Sequence, residues 1–170
     1  RNTYLNGISG FTGTLSLTTA SSTADKFNNS AGGSFAGTLI VGNATTLYTN
    51  TAASFTVSGG IQVTGVGNLE NRGALRVSNT LNSSSMVLLG NTTVATEGGT
   101  INAPISAGSA GLKTLTLGAS TSASTLTLPG VISDGSGQLG LSTAYGTSTL
   151  SGVNTYTGAT SIASGSTLIL

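Results

Sequence analysis

Short runs in which apolar and small polar residues alternate recur along the whole chain. Thr38-Leu39-Ile40-Val41, Leu75-Arg76-Val77, Leu115-Thr116-Leu117, Leu126-Thr127-Leu128 and Thr167-Leu168-Ile169-Leu170 each place apolar residues at i and i+2. A strand with one buried and one wet face produces that pattern. The pairs predict an inward set of Leu39, Val41, Leu75, Val77, Leu115, Leu117, Leu126, Leu128, Leu168 and Leu170. Ser54 to Val57, Ile61 to Val63 and Thr93 to Ala95 continue the rhythm, with glycines such as Gly37, Gly42 and Gly59-Gly60 at the breaks. No stretch sustains a 3.6-residue period, and a capping helix has room only around Ala20 to Asn28.

Three stretches read differently. Thr18 to Gly33 is polar and predicts a longer loop or bulged corner, with Phe27 folded back as an anchor. Glu70-Asn71-Arg72-Gly73 predicts a turn. Met86-Val87-Leu88-Leu89 does not alternate and predicts burial on both sides or against a cap. Pro104 falls where a corner is expected. Strand and corner alternating at unequal spacing predict an all-β solenoid. At about 20–25 residues per rung, the chain supplies about seven to eight irregular rungs in one domain spanning residues 1–170.

The C-terminal stretch Ser151 to Leu170, SGVNTYTGATSIASGSTLIL, adds a family resemblance. Asn154-Thr155-Tyr156-Thr157-Gly158-Ala159-Thr160, followed by Ile162, Gly165, Thr167 and Leu168, resembles the passenger-associated repeat of bacterial autotransporters. Leu126 to Gly137 is more loosely similar to the lead-in of that repeat. Leu141 to Leu150 departs from it, lacking a Lys and one Gly of the usual Lys-x-Gly-x-Gly-Thr-Leu run. Asn2-Thr3-Tyr4 echoes the Asn154-Thr155-Tyr156 triplet and predicts that a rung opens there. The resemblance implies a right-handed parallel β-helix, displayed on a bacterial surface or secreted; a chain that opens within a repeat at Arg1 and stops on a strand at Leu170 is expected to be a piece of a longer repeat protein. The resemblance implies no chemistry.

Composition changes the picture in one respect. Charged residues are 5% of the chain, against about a quarter in ordinary soluble domains. Outward side chains on adjacent rungs lie about 4.8 Å apart, so like charges stacked there repel. Ser, Thr and Asn stack without that cost, and β-branched Thr suits the pleated surface. The net charge of +1 gives no long-range attraction to nucleic acid or anionic lipid. No apolar run approaches the ~20 residues of a membrane helix, and no signal peptide is visible. Absence of Cys is compatible with either redox compartment.

Candidate chemistry is sparse. Nucleophilic triads and ordinary zinc sites use His or Cys, and the chain has neither. Its carboxylates are Asp25, Glu70, Glu97 and Asp134. Glu70 and Glu97 are placed one rung apart if they share a face, as paired acids would require. Otherwise they are solvated turn residues, with Arg72 and Arg76 pairing to Glu70. Tyr4, Tyr48, Tyr145 and Tyr156 read as solenoid corners or as a sugar-stacking surface. Thr114-x-Thr116 and Thr125-x-Thr127 suggest a small flat Thr array, and several Asn-x-Ser/Thr triplets, Asn91-Thr92-Thr93 among them, match glycosylation acceptors by composition alone.

The sequence therefore predicts no catalytic, cofactor or metal site and no enzyme activity. It predicts a structural or adhesive module of an extracellular or cell-surface protein, self-associating through solenoid ends or adjoining repeats into a fibre. The alternative is a carbohydrate- or ice-binding solenoid with a flat Ser/Thr face, and surface glycans are the other expected partners. No nucleic acid partner and no membrane insertion by this segment are expected.

Overall fold

A computed structural model describes residues 2–18, 25–50, 53–119 and 124–170. They form 19 strands in one hydrogen-bonded ladder, every pairing parallel, and no helix. The result is a β-solenoid of about seven turns, each built from three sides.

The first side stacks Thr14–Leu17, Thr38–Val41, Ile61–Gly65, the start of Met86–Thr96, Ile105–Ala107 and Ile132–Gly135. The second stacks Asn2–Tyr4, Lys26–Asn29, Thr46–Thr49, Leu75–Val77, the end of Met86–Thr96, Leu112–Ala119, the start of Gln138–Leu150 and Thr160–Ile162. The third stacks Gly33–Phe35, Phe55–Val57, Thr80–Ser83, Thr100–Asn102, Thr125–Leu128, the end of Gln138–Leu150 and Ser166–Ile169.

Alternation within each strand builds the interior. On the second side Phe27, Leu47, Leu75, Val94 and Leu117 stack in one inward column. On the first side Leu39, Ile61, Met86, Ile105 and Ile132 do the same. Phe35 and Phe55 fill the third side, fully buried. Each aliphatic side chain removed from water contributes about 1.5–3 kcal/mol, so these columns dominate the stability. The expected inward residues Leu39, Val41, Leu75, Val77, Leu115, Leu117, Leu126 and Leu128 are all buried.

Corners between the third and first sides need close backbone approach, and at Gly60 a φ of 92° as well. Gly13, Gly37 and Gly59 stack there, and a Cβ on Gly59 would run into the backbone of Gly37. Gly152 meets Gly130 in the same way higher up. Pro104 occupies such a corner too, its carbonyl accepting from the Met86 amide at 2.8 Å.

Several expectations are corrected. Leu170 is 85% exposed, because the ladder ends with Thr149 paired to Ile169 and Leu170 lies beyond it. Leu168 faces inward as expected, packed against the core in register with the buried Ser148, though it is only partly buried. Thr160–Ile162 is exposed at all three positions, since it is covered by a neighbouring turn only on the Leu141–Thr143 side. Met86 to Leu89 alternates after all: Met86 and Leu88 are inside, while Leu89 is exposed at the corner. Within Thr18 to Gly33, Lys26–Asn29 is a strand, and Phe27 belongs to an inward column rather than anchoring a loop. Residues 19–24, which hold most of the stretch where a helix had room, lie outside the described residues, and residues 26–29 are extended. The two Asn-Thr-Tyr triplets are not equivalent. Asn2–Tyr4 is a strand of the second side, whereas Asn154 sits beside the first side, its Oδ1 accepting from the Ile132 amide at 2.9 Å.

Candidate functional site

The outer surfaces of the three sides differ sharply in chemistry. The strands of the third side carry no charged residue. Their outward positions form columns in register. Thr80, Thr100, Thr127, Thr149 and Ile169 make one, and Thr125, Thr147 and Thr167 the next. Thr56, Asn82 and Asn102 make a third; Asn102 donates to Asn82 at 3.2 Å and Asn82 to Thr56 at 3.4 Å. The Thr125-x-Thr127 pair is thus part of an array larger than two pairs. Thr114-x-Thr116 lies on the second side and does not join it.

The second side gathers the aromatic and charged chemistry. One outward column runs Tyr4, Asn28, Tyr48, Arg76, Ala95, Gly118, Tyr145. Three of the chain's four tyrosines therefore share one line. Tyr156 is elsewhere, partly buried against the core, with its hydroxyl 2.8 Å from Thr160 Oγ1.

Charges reach this column because the corner between Gly65 and Leu75 is lengthened into an arch over residues 66–74. Thr46, buried beneath it, donates from Oγ1 to the Gly73 carbonyl at 2.8 Å and accepts from the Asn68 amide at 3.0 Å. Gly73 donates its amide to the Val66 carbonyl at 3.1 Å, closing the arch. Gly67 has φ of 90° and abuts the Gly73 carbonyl, so a side chain there meets both a torsional and a steric barrier. The arch carries Glu70 and Arg72 over the second side.

Arg76, only 7% exposed, is the hub. Its guanidinium carbon lies 4.3 Å from the Tyr48 ring centroid. It pairs with Glu70 at 3.3 Å and with Glu97. Glu97 accepts from the Tyr48 hydroxyl at 2.6 Å and faces Arg72 at 3.6 Å. Lys26 pairs with Glu70 at 3.1 Å. Glu70 and Glu97 are brought together, as a shared face requires, but around cations rather than around an open space. Glu70 is an exposed turn residue, as the plainer reading had it, yet it is ion-paired, and Glu97 is half-buried in a bend. Arg76 pairs with Glu70 as expected, while Arg72 pairs with Glu97 instead.

Electrostatics fits ion pairing. Burial pushes the Glu97 carboxyl upward, but hydrogen bonds from Arg76 and Tyr48 and the charges of Arg76 and Arg72 outweigh it, leaving it below its ordinary value. Burial, with the hydrogen bond to Glu97, raises the Tyr48 phenol. A general acid needs its pKa raised toward the working pH, and Glu97 is shifted the other way. Asp134 is also held low, by amide hydrogen bonds from Leu139 and Thr157; it ties two turns together at 3.0 and 2.9 Å. No group of three or more metal-ligating side chains occurs among the described residues.

Beyond Arg76 the column changes. Ala95 and Gly118 are the next two positions, and Tyr145 follows, 66% exposed. The result is a concavity of about 190 Å³, floored by Ala95, Gly118 and Ala144 and walled by Asn71, Arg72 and Tyr145. Tyr145 owes its position to a β-bulge. Leu117 pairs with Thr143 but Gly118 pairs with Tyr145, leaving Ala144 unpaired. Regular alternation from the buried Thr143 would point Tyr145 inward; the extra residue turns it out. The mark the bulge leaves in the sequence is slight: Gly146, with φ of 68°, directly after Tyr145.

Compared with protein-family models, curated proteins and solved structures, the chain matches none.

Proposed function

We propose that the chain is a structural, adhesive module of a bacterial cell-surface or secreted β-helix protein of autotransporter type, and that its third side makes the contact. The observation that carries this reading is the third side itself: columns of Thr and Asn, uncharged, held in register by parallel ladders. Such a face repeats about every 4.8 Å along the solenoid and about every 6.8 Å along a strand. It offers hydroxyls and methyls together and repels neither sign of charge, so it suits broad contact with neutral polymers. Lateral packing of copies through it is a route to fibres. The motif over Ser151 to Leu170 supports the autotransporter part of the reading.

The test is retention of beads coated with the chain on cellulose and chitin, against beads coated with a Thr127→Lys, Thr147→Lys, Thr149→Lys variant. These outward substitutions spare the interior. Retention lost in the variant, with its circular dichroism unchanged, is the expected result. Equal retention of both, or none by either, rejects the third side as an adhesive face. A second reading rests on the same two Thr columns, whose regularity also suits ordered water on ice. Inhibition of ice recrystallisation by the native chain but not by the variant would favour it.

A further inference from the structure

We infer that the concavity between Arg72 and Tyr145 is a binding subsite for a single sugar ring bearing a carboxylate, such as a uronic acid residue within a glycan. The subsite lies on the second side and does not depend on the Thr face.

Four observations meet there. The first is shape. Arg76 and Tyr145 stand three rung steps apart in one column, about 14 Å, and the positions between them are Ala95 and Gly118. The volume of about 190 Å³ falls below the ~300 Å³ at which pockets begin to enclose drug-sized ligands, so it suits one ring with its neighbours outside.

The second is the bulge at Ala144. It spends a ladder position to hold a tyrosine outward at 66% exposure. Regular alternation would have buried that ring, so burial is forgone where the aromatic borders the concavity. The apolar C–H face of a sugar ring packs against an aromatic face, while the phenol hydroxyl stays available for hydrogen bonding.

The third is charge. The cluster holds three cations, Lys26, Arg72 and Arg76, against two carboxylates, Glu70 and Glu97. Arg76 is buried among its partners, whereas Arg72 is the most exposed of the three and makes the longest pair, 3.6 Å. A guanidinium has five N–H donors in a planar fork, so Arg72 keeps donors for a carboxylate, which that fork grips in bidentate fashion. An acidic sugar therefore meets the Arg72 guanidinium at one wall and an aromatic ring at the other.

The fourth is the floor. A Cβ on Gly118 would meet nothing closer than the Ala144 Cβ at 3.4 Å, ordinary contact, and φ there is not in the left-handed region. Packing does not require this glycine. It keeps the concavity open, unlike the corner glycines that backbone contacts impose.

The experiment titrates the full chain with tetragalacturonate and with cellotetraose as the neutral control. Saturation-transfer NMR and calorimetry read the native chain and Tyr145→Ala, Arg72→Gln and Gly118→Val. Circular dichroism and urea midpoints verify that each variant is folded. The expected result is saturable binding of tetragalacturonate, weakened about tenfold or more by Tyr145→Ala and by Gly118→Val. Arg72→Gln should remove the preference over cellotetraose. No saturable binding of tetragalacturonate overturns the proposal. So does binding that survives both Tyr145→Ala and Gly118→Val, which would place it elsewhere. Equal binding of the neutral and acidic sugars by the native chain overturns the carboxylate assignment. Should Gly118→Val fail to fold, Gly118→Ala, which adds one methyl to the same floor, takes its place.

Discussion

Replacing Arg76 with Ala tests whether the charged cluster stabilises the solenoid or merely decorates it. The side chain is buried and holds Glu70 at 3.3 Å, Glu97, and the Tyr48 ring at 4.3 Å. Breaking a fully buried ion pair costs about 3–5 kcal/mol, whereas exposed pairs contribute about 0–1. The Glu70 and Glu97 side chains are 36% and 27% exposed, so these pairs lie between the limits. A partly desolvated cation–π contact adds about 1 kcal/mol. Together these place Arg76→Ala at about 2–3 kcal/mol of lost stability at neutral pH. The assay is urea unfolding of both proteins, with the midpoint shift read at unchanged slope from pH 7 down to pH 3. The sign of the pH dependence follows from Glu97, whose folded carboxyl is held below its ordinary value. Its stabilisation is fully present above the unfolded glutamate pKa of about 4.3 and is lost as pH falls through the lower folded value. The native protein should thus lose more stability than the variant below about pH 4, and the gap between them should narrow. A loss under about half a kcal/mol at neutral pH, or a gap that widens on acidification, refutes the reasoning.

Two further predictions concern packing. Leu115→Ala, truncating a fully buried side chain, should cost about 2–5 kcal/mol; a urea midpoint within error of the native one would mean that the inward column tolerates a void. Gly59→Ala should destabilise by about 1–3 kcal/mol, as an overpacked core position does, because its Cβ would strike the Gly37 backbone. If it instead stabilises, as removing backbone freedom at an unstrained site does, the stacked-corner account fails.

Much of the architecture was legible, because a β-solenoid writes its interior into local alternation. Leu75-Arg76-Val77 and Leu126-Thr127-Leu128 each show which residues face inward without reference to any partner strand, and the structure buries them so. The pattern says less where a turn is covered from one side only. Leu170 has the same local signature as Leu128, yet it is exposed. The clusters were harder still. Which outward residues share a column depends on the number of residues in each turn, and those numbers vary. Tyr48 and Arg76 are adjacent only because the arch over 66–74 absorbs the extra chain between them. Tyr145 joins their column only through the unpaired Ala144. Neither device has a period that a reader of the sequence can follow.

The arch also explains how a chain so poor in charge concentrates what it has. On a regular face, every outward residue faces the same position of the next turn about 4.8 Å away, and a second like charge there is penalised. Lengthening one corner frees Glu70 and Arg72 from the lattice. They reach the second side from a loop rather than from a rung, and opposite signs can then interleave. Lys26 and Arg76 approach Glu70, while Arg76 and Arg72 approach Glu97. The third side, whose outward residues all come from regular strands, carries no charge among the described residues. Regular stacking thus produces a neutral, repetitive face suited to extended contact, and two of its interruptions, the arch and the bulge at Ala144, bring Arg72 and the exposed Tyr145 to one concavity. If the third side adheres and the concavity binds a sugar ring, as proposed, the two lie on different sides, so substitutions in one should leave the other unchanged.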